Sequence, residues 1–206
     1  AALMDHTDLL SLSAHKIYGP CGVGALVVRR DIQPMLSPII HGGGQQNGLR
    51  SGTLPLSLCI GFAAAAELLR SSDAIAERDR IRSVRDLFVE TIATSGCAFA
   101  MNGPLGDGRH PGNANLTFSG FAAADLLAAM QPMIAASSGS ACTSGIPEPS
   151  HVLKAIGKTA EESDSSVRFS FGRFSTEDDA QRAAAIVSST LRRLTDAELF
   201  TADKGA

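Results

Sequence analysis

One cysteine lies among small polar residues and is the strongest candidate for a reactive side chain. The segment from Ser137 to Gly145 reads SSGSACTSG, so five serines and threonines and two glycines surround Cys142. A structural cysteine is usually packed among large apolar residues, whereas a polar loop that contains glycine leaves a thiol accessible. The pattern predicts a nucleophilic thiol on a loop.

A lysine at a turn is the second candidate. Lys16 follows the apolar run LLSL at positions 9–12 and precedes the turn-prone pair Gly19 and Pro20. Taken alone, such a lysine is usually an exposed charge with no special role. An amine that is partly stripped of water, however, is neutral often enough near neutral pH to attack a carbonyl carbon. The two candidates together suggest covalent chemistry on an amine and a sulfur.

Four motifs, in this order along the chain, resemble those of the group I cysteine desulfurases. They are SAHK at 13–16 with GP at 19–20, GGGQQNGLRSGT at 42–53, SSGSACTS at 137–144 and VRFSFGRF at 167–174. These desulfurases belong to the class V aminotransferase superfamily and use pyridoxal 5'-phosphate (PLP). The resemblance runs from about residue 8 to about residue 194. It implies the C-terminal half of a family whose members are roughly double this length.

The resemblance implies four residues at the cofactor. Lys16 stands where the family forms a Schiff base with PLP, and Ser13 and His15 stand where it contacts the cofactor phosphate. Thr53 stands where a threonine contacts the phosphate bound by the partner subunit, which implies a homodimer. Ala14 departs from the family pattern, in which glycine is common. Without the resemblance, Ser13 and His15 would be ordinary residues at a strand end, and Thr53 would be a helix cap.

The resemblance also implies two residues at the substrate. Arg168 stands where an arginine binds the substrate α-carboxylate, a task that suits a planar, bidentate guanidinium. Cys142 stands where a thiol accepts the sulfur, and the glycine and prolines of segment 143–149 suit a mobile loop. Without the resemblance, Arg168 would be read as a structural ion-pair partner. Arg50 and Arg173 could each be a local salt-bridge partner.

The implied activity converts L-cysteine to L-alanine. The sulfur passes through a persulfide on Cys142 to an acceptor scaffold protein, for iron–sulfur cluster or thio-cofactor assembly. Because the family's ring-holding residues precede the lysine, and 15 residues precede Lys16 here, the chain alone is expected to have little activity. Two alternatives stay open. A different class V aminotransferase or lyase would need Lys16 and Arg168 but not Cys142, and a truncated dimerising module would need no catalysis.

The composition is that of a globular protein. Hydrophobic residues make up 44% of the chain and the formal net charge is −3. No run of Lys or Arg indicates a nucleic-acid surface. The longest apolar stretch, 54–69, is interrupted by polar residues and is short for a membrane span. No secretory signal opens the sequence, which begins without methionine as a fragment would. We therefore expect neither nucleic acid nor a membrane as a partner.

The cysteines and histidines show no metal-ligand spacing. Cysteines stand at positions 21, 59, 97 and 142 without a CxxC pair, so no metal site is expected. They are expected to be reduced thiols, which favours the cytoplasm or, in a eukaryote, an organelle matrix. Cys21, Cys59 and Cys97 adjoin apolar strand or helix positions and are expected to be packing residues.

The pattern of apolar residues predicts alternating strands and helices. Strands are expected at 7–13, 22–30, 97–101, 114–119, 134–137 and 166–172, with Lys16 on the first connection and a glycine-rich loop at 40–52. Helices are expected at 55–70, 73–94, 122–131, 150–157 and 177–194, the last capped by Thr176. The charged face of helix 73–94 is expected to be solvated; it comprises Glu77, Arg78, Arg80, Arg82 and Arg85.

The expected fold class is α/β, as the C-terminal part of the PLP-dependent transferase fold (fold type I). Residues 1–72 would be the C-terminal remnant of the PLP-binding large domain. Residues 73–206 would form a small α+β C-terminal domain that carries the cysteine loop.

Overall fold

The computed structural model describes residues 5–138 and 150–203 and divides into two compact units. The first unit is Ala1–Ala74 and the second is Ile75–Ala206. Their boundary lies close to the predicted boundary near residue 72, and the assignment of the units to a large and a small domain stays a prediction. Among the described residues, no helix combines the length and apolarity that crossing a membrane requires.

The first unit combines an antiparallel hairpin with one helix. Its elements are strands β1 (Leu9–Ser13) and β2 (Gly24–Val28), 3-10 turns at Ala14–Ile17, Arg30–Met35 and Gln46–Gly48, and helix α1 (Leu56–Leu68). In the hairpin Ser13 pairs with Gly24. Glycine is required at that position, because a Cβ on Gly24 would lie 2.6 Å from the carbonyl oxygen of Leu12. The two predicted strands, with Lys16 on their connection, are confirmed.

Helix α1 lies against the connection between the two strands. Pro55 is its N-cap residue, where a fixed backbone φ favours helix entry. Gly61 allows close approach, since a Cβ on it would lie 3.2 Å from Cδ of Pro20. The helix therefore supports the segment that follows Lys16.

The second unit is a four-stranded sheet with helices. Its strands are β3 (Ala100–Met101), β4 (Asn113–Thr117), β5 (Ser137–Ser138) and β6 (Ser166–Ser170). Its helices are α2 (Asp73–Thr94), which starts at the unit boundary, α3 (Ala123–Met130), α4 (His151–Ala155), α5 (Ala160–Asp164) and α6 (Glu177–Asp203). The strand order is β3-β4-β6-β5, and every neighbouring pair is antiparallel.

The apolar core fills the space between the sheet and helices α2, α3 and α6. Phe88 of α2, Leu116 of β4 and Val187 of α6 are among its buried members. The rings of Phe88 and Phe169 lie with their centroids 4.8 Å apart. Burial of side chains this large supplies most of the unit's stability, at about 1.5–3 kcal/mol each.

The opposite face of the sheet is polar and partly buried. Its buried members share one network, in which the Asn102 side-chain amide donates to Asn115 Oδ1 at 2.7 Å, to Thr117 Oγ1 at 2.8 Å and to Ser166 Oγ at 3.0 Å. Because these buried polar atoms have partners, the network carries little desolvation penalty.

The charged face of α2 was expected to be solvated, and this is wrong for Arg85 and Glu77. Arg85 is 5% exposed, because it follows the core residue Val84 and a segment distant in sequence, which carries Arg109, lies close to it. Glu77 is partly buried against Arg173.

Several element boundaries also differ from the expectation. In the described part of the chain, strands β3 and β5 contain two residues each. Helix α6 continues to Asp203, since no glycine or proline lies between residue 194 and Asp203. Helix α5 was not expected, although Thr159 and Glu162 have the spacing of a capping box and form one.

Candidate active site

Lys16 lies on a turn that is built around a buried alanine. The backbone N–H of Ala14 donates to the carbonyl of Val23 at 3.1 Å, and the N–H of Gly19 donates to the carbonyl of Ala14 at 2.9 Å. Ala14 is fully buried. A Cβ on Gly19 would lie 3.0 Å from the Ala14 oxygen, so both positions require small residues. The turn thus fixes the backbone while Lys16 itself is exposed.

Three polar side chains of this turn have no partner among the residues that the structure describes. Ser13, His15 and Lys16 are exposed, and in the described part of the chain none of them forms a side-chain hydrogen bond or ion pair. A hydroxyl, an imidazole and an amine within four positions are a suitable donor set for a phosphate and a reactive carbonyl. The structure therefore brings together three of the four predicted cofactor residues.

The glycine-rich loop ahead of Thr53 is closed by its own hydrogen bonds. The hydroxyl of Ser51, which is 3% exposed, accepts from the N–H of Gly44 at 3.3 Å, and Gln45 Oε1 accepts from the N–H of Gly52 at 2.9 Å. Gly44 has φ +77° and Gly52 has φ +107°, values that favour glycine. Thr53 follows at the end of the loop and is exposed.

Arg168 lies on the polar face of the second unit, in the middle of the ladder. On β6 it pairs with Asn115 of β4 on one side and with Ser137 of β5 on the other. Its Nη2 donates to Ser137 Oγ at 3.1 Å. No carboxylate among the described residues lies within ion-pair distance of Arg168. Among the described residues, no carboxylate neutralises its charge, which suits the binding of an external anion.

A cavity of about 310 Å³ opens beside Arg168. Its polar wall carries Arg168, Arg109, His110, Asn102, Asn113 and Asn115, and helix α4 supplies an apolar wall. No aspartate or glutamate is among the described residues that line it. Guanidinium and amide donors without a carboxylate suit a ligand that carries its own carboxylate.

Arg109 is a residue of this wall that the motifs did not identify. It is 8% exposed, and burial lowers the pKa of its guanidinium below the ordinary value, with the charge of Arg85 adding to the effect. It donates to the carbonyl of Pro104 at 2.9 Å, to Asn113 Oδ1 at 3.0 Å and to the carbonyl of Asn102. Arg109 therefore shapes the wall. In the sequence, the polar face of the sheet is indicated by the alternation of polar and apolar residues in NANLT at 113–117.

Three of the four cysteines lie in the described part of the chain. Cys142 lies outside the described residues, so its predicted role stays a prediction. Cys21, Cys59 and Cys97 are free thiols, and Cys97 packs against the core. Cys21 was expected to be a packing residue, but it is exposed, because the turn between β1 and β2 leaves it outside any apolar layer.

Arg50 and Arg173 were each expected to be a possible local salt-bridge partner. Arg173 forms an ion pair with Glu77, which confirms it as a local salt-bridge partner. Arg50 instead donates from Nη1 to the carbonyl of Ser51 at 3.1 Å.

The model of the aminotransferase class-V family matches residues 5–183. The chain therefore belongs to the class V aminotransferase family. It is 43% identical over 190 residues to a cysteine desulfurase of Frankia sp. (strain EuIK1), covering 91% of this chain and 44% of the relative. It is likewise 43% identical over 187 residues to the cysteine desulfurase IscS of Pseudomonas putida (strain KT2440), covering 91% of this chain and 45% of that relative.

A solved NifS-like protein has a similar fold. The TM-score is 0.77 with 26% sequence identity, and the match covers 91% of this chain and 47% of the other. This likeness confirms the predicted fold class, and the relatives confirm the resemblance to cysteine desulfurases. The chain spans about half the length of the relatives and structures that it matches.

Proposed function

We propose that this chain supplies the lysine, the carboxylate-binding arginine and the sulfur-accepting cysteine of a PLP-dependent cysteine desulfurase. The reaction is L-cysteine plus an enzyme thiol giving L-alanine plus an enzyme persulfide. The observation that carries the proposal is 43% identity to curated cysteine desulfurases over 91% of the chain. The exposed Lys16 turn supports it, and so does the cavity beside Arg168, whose described lining contains no aspartate or glutamate.

In this proposal the Lys16 turn holds PLP. Ser13 and His15 would hold its phosphate by hydrogen bonds, and Lys16 would hold its aldehyde end through the side-chain amine. When bound, PLP supplies an electron sink that weakens bonds at the substrate carbons. With L-cysteine bound, the Lys16 amine would hold or deliver a proton. Thr53 contacts the cofactor phosphate of a second copy, so the active enzyme is a homodimer.

Arg168 and Cys142 act on the substrate. The guanidinium of Arg168 takes the α-carboxylate in a charge-assisted pair, which orients L-cysteine. The Cys142 thiolate attacks the substrate sulfur, so that an S–S bond forms and the C–S bond breaks. The carbon fragment keeps the bonding electrons and takes up a proton, which leaves alanine. The persulfide sulfur then passes to an acceptor scaffold protein.

The test requires the part of the enzyme that this chain does not span. We therefore design a completed enzyme, in which the unmatched part of the Frankia relative is fused ahead of residue 1. We expect it to retain PLP, to make alanine from L-cysteine and to carry a persulfide on the peptide that contains residue 142.

Cys142→Ala should retain PLP, make no persulfide and lose alanine production under turnover by a factor on the order of 10³ or more. Cys59→Ala is the matched control, since it removes a free thiol on helix α1, and it should leave turnover unchanged. Normal turnover in Cys142→Ala would contradict the desulfurase assignment and favour another class V aminotransferase or lyase.

A further inference from the structure

The hydroxyl of Ser137 forms hydrogen bonds on two sides. Its oxygen accepts from Arg168 Nη2 at 3.1 Å, and its proton goes to the carbonyl oxygen of Ser138 at 3.0 Å. A serine hydroxyl has one proton and two acceptor lone pairs. Because the Ser137 proton is donated to the carbonyl of Ser138, the Ser137 oxygen can only accept toward Arg168. A guanidinium has donors only, so an acceptor is what it requires.

Strand pairing also holds the backbone of Ser137 beside Arg168. Ser137 pairs with Arg168 and Ser138 pairs with Val167, which is fully buried in the core. The serine is half-buried while Arg168 is exposed. A long, exposed arginine side chain samples many rotamers, and a fixed acceptor restricts them. The bond to Ser137 occupies one of the two Nη2 protons, and the second Nη2 proton still forms a two-donor edge with a neighbouring guanidinium nitrogen for a carboxylate.

We propose that Ser137 is a positioning residue that orients the Arg168 guanidinium for the substrate carboxylate. The proposal rests on the proposed function, in which Arg168 binds the carboxylate of L-cysteine. No other described side chain forms a hydrogen bond or ion pair with Arg168. Ser137 is also the first residue of the motif that contains Cys142, so one strand both orients the carboxylate-binding group and leads into the sulfur-accepting segment.

The kinetic test uses the completed enzyme with three variants. Ser137→Ala removes the hydroxyl that accepts from Arg168. We expect the KM for L-cysteine to rise roughly 3- to 10-fold, because a hydrogen bond to a charged group is lost. The kcat should change less than about twofold, because that bond lies away from the reacting atoms. Ser137→Thr keeps the hydroxyl and suits a strand, so it should restore the KM. Ser170→Ala is the control, since Ser170 is exposed on the same strand as Arg168.

A second measurement uses the 206-residue chain and needs no catalysis. With ¹⁵N-labelled arginine, the rotation of the Arg168 guanidinium is followed by NMR, and Arg168→Lys identifies the signal. Ser137→Ala should speed this rotation several-fold, whereas Ser137→Thr should not. An unchanged rotation rate, or an unchanged KM in an active completed enzyme, would overturn the role of Ser137. Failure of the unsubstituted completed enzyme to make alanine would instead overturn the proposed function and, with it, the substrate named for Arg168.

Discussion

Glu77 and Arg173 form a bidentate ion pair that joins helix α2 to the turn after β6. Arg173 Nε donates to Oε1 at 2.5 Å and Nη2 donates to Oε2 at 2.8 Å. Arg80 reinforces the same turn by donating to the carbonyls of Arg173 and Ser175. The Glu77 and Arg173 side chains are 22% and 24% exposed. A pair this well shielded from water should contribute measurably to stability.

We predict that Arg173→Gln lowers the free energy of unfolding by roughly 1–3 kcal/mol, because a charge-assisted bidentate contact is lost. Arg182→Gln is the control. Arg182 pairs with Asp178, but both side chains are 73% exposed, so the change should stay within about 0.5 kcal/mol. Urea unfolding of the chain measures both, and equal effects of the two substitutions would contradict the prediction.

The same pair should make stability depend on pH. The hydrogen bond from Arg173 is the main cause that holds the pKa of Glu77 below its ordinary value of 4.5. Since the folded pKa is depressed, this contribution is complete above about 4.5 and is lost as the pH falls through the folded pKa. Unfolding measured from pH 7 down to pH 3 should show that Glu77→Gln loses less stability than the unsubstituted chain. Parallel curves would show that Glu77 contributes nothing to the acid dependence.

Local sequence patterns predicted helix α2 and the Lys16 turn well. The bounds of α2 match the prediction at both ends, because Ile81, Val84, Phe88 and Ile92 recur at helical spacing and all four are buried. The Lys16 connection was predicted because an apolar strand runs into glycine and proline. In each case the signal lies within a few residues of the element.

Relationships between distant segments could not be predicted in this way. The contact of Arg168 with Ser137 depends on the register of β5 against β6, which joins residues 31 positions apart. The burial of Arg85 depends on how segments distant in sequence pack against α2. No local periodicity encodes either relationship, since both are set by tertiary packing.

Lys16 should be the residue that carries PLP. In the completed enzyme, Lys16→Ala should abolish the visible absorbance of bound PLP, and borohydride should no longer attach the cofactor to the peptide that contains residue 16. Lys154→Ala is the control, because Lys154 is an exposed lysine on α4, and it should keep both signals. If Lys16→Ala kept the absorbance and borohydride attached PLP to a different peptide, another lysine would be the residue that binds PLP.

Arg168→Ala should leave the PLP absorbance intact and weaken substrate binding. The lost interaction is a charge-assisted pair worth roughly 1.5–3 kcal/mol, which corresponds to a KM for L-cysteine about 10- to 150-fold higher. Steady-state kinetics of the completed enzyme measure this, with Arg182→Ala as the exposed control. An unchanged KM would show that Arg168 does not bind the carboxylate.

The β1–β2 hairpin should make the chain self-associate when it is studied alone. None of its ten residues is buried, and Leu12 on one face and Leu26 on the other are 42% and 58% exposed. Strands that are apolar on both faces are typical of a sheet that is covered on both sides, and exposed apolar surface of this kind promotes association.

We therefore expect the 206-residue chain to sediment as concentration-dependent oligomers, to lose added PLP on dialysis and to release little sulfide from L-cysteine. The double substitution Leu12→Thr with Leu26→Thr should shift the chain toward the monomer, because it removes apolar surface from both faces of the hairpin without opening the core. Leu105→Thr is the control, since Leu105 is 76% exposed but lies in the second unit, and it should not reduce association. A monomeric chain that retained one PLP per subunit and turned over L-cysteine would show that the hairpin needs no covering partner and that the chain contains a complete active site.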